Sequence, residues 1–437
     1  MMLRNNSVRL SWLPLLLWLI LGAGAASQAR AQCNLRWLAL TPAALPSPRK
    51  SYAIAFDSKR GVTVLFGGIV IKGFNDLYFP SDVFGETWEF DGHTWTQRFP
   101  ATPPLPLENQ CMSYDIARGV MVMFGGNVGT NLNGVDFPSS GITWEWDGTN
   151  WTSVTTLGGV HPNGRSSALM VYDSTRNVHV LYGGQAPNGT TYNDVWEYDG
   201  TTRAWTQRAT GGPAPRFGAA LAYDSANQRT VLFGGEGLVF GASSFFNDTW
   251  LWDGQTATWS STAPIHHPPG RLFHAMVFDT LRGVMVVQGG KVVTADYGTS
   301  YQTGYTTSTW EWDGTDWFDK SSTYNFCCPM EIAAMVYESS RQQTILYGPA
   351  GNTVNNLMMT TWALATGSGQ AITFADSSNQ GAADGSQTHP YRTVQEAATC
   401  ALGGSTISIR AGDYAEGYGH YGKQLTIAVI GGQVHLH

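Results

Sequence analysis

The stretch TWEWDGTNW, Thr143–Trp151, returns almost unchanged as TWEWDGTDW, Thr309–Trp317, and three looser copies lie elsewhere in the chain. Alternation in TWEWD sends successive side chains to opposite faces of a strand. The Asp-Gly that follows reads as a hairpin turn, because glycine accepts φ > 0, and the second tryptophan opens the return strand. A second signature sits upstream of each copy, a hydrophobic strand ending in two glycines. It reads VLFGG at 64–68, VMFGG at 122–126, VLYGG at 180–184, VLFGG at 231–235 and VVQGG at 286–290, with a degraded copy, ILYGP, ending at Pro349. The five full copies are spaced 58, 58, 51 and 55 residues apart, one supersecondary unit each and six in all.

Every unit has the same grammar. An inner apolar strand such as RFGAALAYD (216–224) leads through a polar turn to the glycine-pair strand, and after a loop of variable length come the TWLWD-type strand, a tight turn and a last strand begun by tryptophan. Four antiparallel strands per unit make a propeller blade. The glycine pair, the aromatic-acidic strand and the following tryptophan resemble kelch repeats over roughly residues 35–364. The resemblance implies an all-β, six-bladed kelch-type β-propeller. In such blades the outer tryptophans pack between neighbouring sheets, and the glycine pair lets bulky aromatics approach the backbone. The sixth unit runs through TTWALATG (360–367) with no partner tryptophan, whereas the segment NLRWLALTPAALPSPR (34–49) matches AWTQRATGGPAPR (204–216) in position and character. Trp37 and its neighbours are therefore expected to supply the missing strand and close the ring, removing its exposed edges.

Composition agrees with many short strands. The 437 residues are 43% apolar, 12% aromatic and only 13% charged, with 51 glycines and 17 tryptophans. Residues 1–31 read as a secretory signal: Arg4 and Arg9 precede the apolar run WLPLLLWLILGAGAA, and Ala29 and Ala31 stand at the cleavage-determining positions. The expected localisation is exported, whether secreted, periplasmic or at the cell surface. Removing the signal leaves 22 basic against 32 acidic residues, a formal charge of −10, which argues against nucleic acid or an anionic membrane as partner. No later segment is apolar enough to form a membrane helix. The five cysteines, Cys33, Cys111, Cys327, Cys328 and Cys400, are too few and scattered to frame the fold, and their odd number leaves at least one unpaired.

Short turns occupy one face of the disc, so the loops after the glycine pairs and the linkers between units are expected on the other. Those loops carry Phe74, Tyr78, Phe79, Phe137, Phe240, Phe245, Phe246, Tyr297, Tyr301 and Tyr305, and flat aromatic faces stack on sugar rings. An arginine opens the inner strand in four units (Arg49, Arg165, Arg216, Arg271), with Leu107 and Met330 in its place in units two and six. Four guanidiniums could clamp a carboxylate or sulfate; the competing account is that each bridges backbone carbonyls or a neighbouring blade. His274 follows Arg271 by three residues, where kelch repeats often carry a central histidine, and His266 and His267 lie in a linker assigned to the loop face.

Catalytic candidates are few. Galactose oxidase has a kelch propeller with a copper site of histidines and tyrosines, one cross-linked to a cysteine, but Cys111 and these histidines align with no motif of that site. Kelch-type sialic acid mutarotases would need an arginine and a carboxylate at the channel, for which Lys50, Glu108 and Glu331 stand near the inner-strand starts. No catalytic residue, metal or cofactor is assigned. Beyond Gly367 the grammar changes: a helix-like segment, Tyr391–Leu402, and the strand STISIRAGDYAE resemble the first turn of pectate-lyase-like right-handed parallel β-helices, an incomplete segment over 367–437. The expected function is a non-catalytic binding or adhesion module over 32–366 for a glycan or a cell-surface protein. A carbohydrate-active enzyme and a protein-interaction platform are the alternatives.

Overall fold

A computed structural model describes residues 35–70, 82–128, 139–155, 159–239, 242–296, 301–324, 326, 333–350, 358–366, 372–375, 406–414 and 426–436. Residues 1–31, expected to be a secretory signal, and the segment Tyr391–Leu402, expected to be helix-like, lie outside the described residues.

Six four-stranded antiparallel sheets follow one another along the chain. Unit one comprises Ala53–Asp57, Val62–Phe66, Thr87–Phe90 and Trp95–Arg98, and unit two Cys111–Asp115, Val120–Phe124, Thr143–Trp146 and Trp151–Ser153. Units three, four and five begin at Leu169, Ala220 and Ala275 with the same strand order. The sixth sheet takes Ala334–Glu338, Gln343–Ala350 and Met358–Thr366, and its edge is Leu35–Leu40, which pairs antiparallel with Met358–Thr366 so that Trp37 faces Leu364. The first strands of the six sheets neighbour one another in a closed cycle, Ala53–Asp57 lying beside both Cys111–Asp115 and Ala334–Glu338. A separate three-stranded parallel sheet joins Ile372–Ala375, Thr406–Tyr414 and Thr426–Leu436.

Both faces of each sheet are covered by neighbouring sheets, so the second strands lose the alternation of a half-exposed strand. Val64, Leu65 and Phe66 are all fully buried, as are Val180 and Leu181. Between units one and two, Val64 and Phe66 meet Met121, Met123, Trp146 and Trp151 in one apolar layer. Phe66 meets Trp151 at a ring-centroid distance of 5.2 Å, and the aromatic before each glycine pair repeats this contact with the next unit in Phe124–Trp205, Tyr182–Trp259 and Phe233–Trp317. Unit five carries Gln288 at that position, and Trp37 packs on Phe326 instead.

A polar rule runs through the same interfaces. In five units the indole Nε1 of the last-strand tryptophan donates to the threonine that directly precedes the third-strand tryptophan of the preceding unit: Trp151 to Thr87, Trp205 to Thr143 and Trp317 to Thr249, each at 2.9 Å, and Trp95 to Thr361 and Trp37 to Thr309 at 3.2 Å. Unit three has Val195 there, and the buried Nε1 of Trp259 is left without a partner. Val195→Thr, close in size and offering the absent acceptor, is expected to stabilise the fold by about 1 kcal/mol. Urea unfolding measures this; an unchanged midpoint, with a similar loss absent in Thr249→Val, would refute the rule.

The glycine pair does something other than admit aromatics. In units one, two and four a Cβ on the first glycine would collide with a backbone carbonyl of the next unit, 2.4 Å from Leu107 O at Gly67, 2.5 Å from Arg165 O at Gly125 and 2.7 Å from Arg271 O at Gly234. A Cβ on the second would meet its own unit, 2.8 Å from Lys50 O at Gly68. Meanwhile the second glycine's N–H donates to that same carbonyl of the next unit, Gly68 to Leu107 and Gly235 to Arg271 at 2.8 Å and Gly126 to Arg165 at 2.9 Å. What approaches closely is main chain, and the pair is a backbone clasp between units.

The Asp-Gly turns also need glycine for two reasons. Gly92, Gly148 and Gly314 have φ of +96°, +95° and +102°. Gly200 and Gly254 sit in turns two residues longer, where Arg203 and Ala257 take the positive φ instead. There the glycine is needed for room, because a Cβ would fall 2.2 Å from Arg118 and 1.9 Å from Arg176 of the preceding unit. Those arginines close an Asp-x-x-Arg turn: Arg118 binds Asp115 at 2.7 Å and Glu145 at 2.6 Å, and Arg176 binds Asp173 and Glu197 at 2.7 Å. In unit four both ends of the pair are replaced, Asn227 for arginine and Leu251 for glutamate. Arg341 of the last unit reaches the first, donating to Gly61 O at 2.9 Å and to Asp91 O.

Candidate functional site

The tight turns gather on one side. Beside the glycine pairs, the segment that precedes each inner strand pairs with the residues after the pair: Arg49–Lys50 with Ile69–Val70, Leu107–Glu108 with Asn127–Val128, and Arg271–Leu272 with Lys291–Val292. Bridges Ser166–Gln185 and Phe217–Glu236 do the same in units three and four. This rim of small pairings is the face on which the arginines stand.

All four arginines are 0–2% exposed. Their Nη1 groups donate to the carbonyl of the first glycine of their own pair, Gly67, Gly183, Gly234 and Gly289, at 2.9–3.2 Å. Their Nε groups donate to the carbonyl two residues back, of Ser47, Asn163, Ala214 and Pro269. Three also hold a carboxylate at the start of the third strand: Arg49 with Glu86 at 2.6 Å, and Arg165 with Asp194 and Arg216 with Asp248 in bidentate pairs opening at 2.6 Å. An aromatic ring two residues before that carboxylate lies against each guanidinium, Phe84, Tyr192 and Phe246 at 3.9–4.1 Å. Burial would raise the Asp248 carboxyl, but the hydrogen bond and charge of Arg216, with Trp250 Nε1 at 2.7 Å, hold it below the usual carboxylate range. Each such triad is a ligand already in place, so the arginines bridge carbonyls within a unit.

Phe246 is therefore an internal partner of Arg216. Among the described residues Arg271 has neither carboxylate nor ring: its Nη2 is buried without a partner, and burial lowers its pKa to about 10. His274 is buried, its ring edge-on to Phe233 at 5.4 Å. Burial, with the charge of Arg271 added, lowers its pKa to about 3, so the ring is neutral. Tyr301 begins the strand Tyr301–Tyr305, opposite Asp296 in a hairpin that extends the rim of unit five, and Tyr305 is 42% exposed. Tyr78 and Phe137 lie outside the described residues, as do Met330, Glu331, Cys327 and Cys328. The candidate residues thus form separate clusters, unit by unit.

His266, expected on the loop face, sits against the hairpin turn of unit five, its N and Nδ1 on the carboxylate of Asp316 at 2.8 Å. The linker leans on its neighbour's turn, as Ala101 N does on Asn150 in unit two. Glu108 is pushed up by burial against the opposing effects of Asn127 and Lys50. Cys111 is a buried free thiol bonded to Phe124 O, raised by burial to about 12 and so unreactive. His179 was not singled out by the sequence: wholly buried, it bridges units two and three with Nδ1 2.6 Å from Ser113 Oγ. Its position, second in a VHVLY strand where other units carry threonine or methionine, was the available signal.

Residues 121–330 match the family described as the KLHDC2/KLHL20/DRC7 Kelch-repeats domain. Among solved structures the fold is similar to one titled "Structure of YjhT", at 14% identity and a TM-score of 0.53, covering 74% of this chain and 95% of that one. Over residues 121–330 the repeats are of the kelch type, and the fold is an all-β propeller. Among the described residues no helix is long and apolar enough to cross a membrane.

Proposed function

We propose that the chain is an exported, non-catalytic binding or adhesion module. In this reading it is a six-bladed propeller sealed by its N-terminal strand, followed by the start of a parallel β-helix, and it engages a surface glycan through the rim that carries the arginines. The observation that carries it is the state of the rim's charges: in units one, three and four each arginine is saturated by carbonyls and a carboxylate, and His274 is held neutral. Groups locked in this way shape a rigid surface and have little freedom to shuttle protons. The closed cycle of first strands and the antiparallel seating of Trp37 support the six-bladed ring, and the parallel pairing of the last three strands supports the β-helix. On the rim of unit five Tyr305, 42% exposed, supplies a face for sugar stacking, and Tyr301 begins the same strand.

A protein ligand is the second reading, favoured by the kelch match and by apolar side chains left in water, Phe99 at 82%, Val160 at 73% and Ile265 at 86% exposure. A glycan array probed with the mature chain separates the two. Binding that falls at least tenfold in Tyr301→Ala supports the glycan reading. Silence across the array, with a partner recovered by cross-linking at Phe99 or Ile265, would replace it.

A further inference from the structure

Aligning the units on the Thr-Trp that opens the third strand exposes a rule and one breach of it. The residues one and three places before that threonine are Glu86 and Phe84 in unit one, and Asp248 and Phe246 in unit four. Unit three has Asp194 and Tyr192, placed in the same way before Val195-Trp196. Each pair serves an arginine. Unit two has Leu107 in place of the arginine, and there the same positions are Ile142 and Ser140; unit six has Met330, with Thr360 and Met358. Arginine, acid and ring are kept or lost together. Unit five alone keeps the arginine, Arg271, without the others, having Ser308 and Thr306.

The consequence is visible in the bonds. Arg271 keeps its contacts to Gly289 O and Pro269 O, at 3.0 and 3.2 Å, but Nη2, which in units three and four binds the second carboxylate oxygen, has no partner and no access to water. Among the described residues, Asp319 is the acidic group whose charge acts on it. Ser308 is occupied locally, exchanging hydrogen bonds with Thr306. Gln288 turns to Thr307 O and Thr309 Oγ1. A buried guanidinium N–H with nothing to donate to is costly.

We propose that unit five holds a binding site for one small carboxylate, which takes the place of the missing Asp or Glu side chain and pairs with Arg271. Arg271 is fully enclosed, so the ligand is of the size of formate or acetate, at the place where Thr306 and Ser308 stand for the ring and acid of units one, three and four. The proposal is independent of whether the module's main ligand is a glycan.

The test is thermal unfolding of the full chain in rising sodium formate, acetate and chloride. The same titrations are run on Ser308→Asp, which supplies the carboxylate internally, and on Asp248→Ser, which removes from unit four the carboxylate that unit five lacks while keeping Phe246 against Arg216. At ten times its Kd the carboxylate should raise the Tm of the wild type by about 1–2 °C more than that of Ser308→Asp. Asp248→Ser should melt lower and gain a further rise of similar size. Parallel curves for wild type and Ser308→Asp overturn the proposal, and so does a differential rise seen with chloride but not with formate or acetate. If Ser308→Asp does not fold, Asp248→Ser decides: a carboxylate response no larger than that of the wild type counts against the site.

Discussion

Gly125→Ala is expected to destabilise the chain by about 3 kcal/mol or more. The new methyl would sit 2.5 Å from the carbonyl oxygen of Arg165 in the next unit, at a φ of +76°. The positive φ costs an L-residue about 1 kcal/mol. The contact adds about 1–3 kcal/mol of overpacking, because the obstacle is main chain that no rotamer change can clear. Relief would require units two and three to part, and that would stretch the 2.9 Å bond from Gly126 N to the same carbonyl. Gly189→Ala is the matched control: φ is +83°, and no atom lies within 4 Å of the added carbon. It should lose only the conformational part. Denaturant midpoints that fall equally for the two variants would mean that the glycine pair is a turn device and no clasp.

Asp194→Ala should cost about 3 kcal/mol by leaving Arg165, 1% exposed, charged and half-satisfied against Tyr192. Most of the loss should return in Arg165→Leu combined with Asp194→Ile, which copies the arrangement that unit two already uses at Leu107 and Ile142. A buried ion pair is weak as a stabiliser and expensive to break by halves, so the double variant is the informative one. If it melts no higher than Asp194→Ala alone, the triad contributes more than the absence of an unpaired charge, and a role in shaping the rim for a ligand gains weight.

Much of the kelch architecture could be read from the sequence, because its signals are local. An Asp-Gly between tryptophans and a strand ending in two glycines are each complete within ten residues. Less of the candidate site was legible. The four arginines recur visibly, but their carboxylates stand 37, 29 and 32 residues further on, after loops of unequal length. They fall into register only when counted backwards from the third strand. The meaning of the glycine pair was missed for a related reason: its contact is with the carbonyl at position 107 or 165 of another unit, and backbone oxygens leave no letter in a sequence. The Asp-Gly turns show the opposite case, in which one letter serves two purposes. Gly148 supplies a positive φ and Gly254 supplies space for Arg176.

The edge strand Leu35–Leu40 has a consequence for biosynthesis. It is made before units one to five, yet its hydrogen-bonding partner is Met358–Thr366. At roughly 5–20 residues per second the interval is roughly 15–65 s. For all of that time a strand with tryptophan and leucine side chains has no native place to go, while units one to five can already form in order behind it. The final joining is also the slowest kind of pairing to reach, since the loop it closes spans nearly the whole ring. Whatever escorts the nascent chain must therefore guard its first strand longest, and a variant that weakens the Trp37 to Thr309 bond would be felt in the yield of finished protein before it was felt in the finished protein's stability.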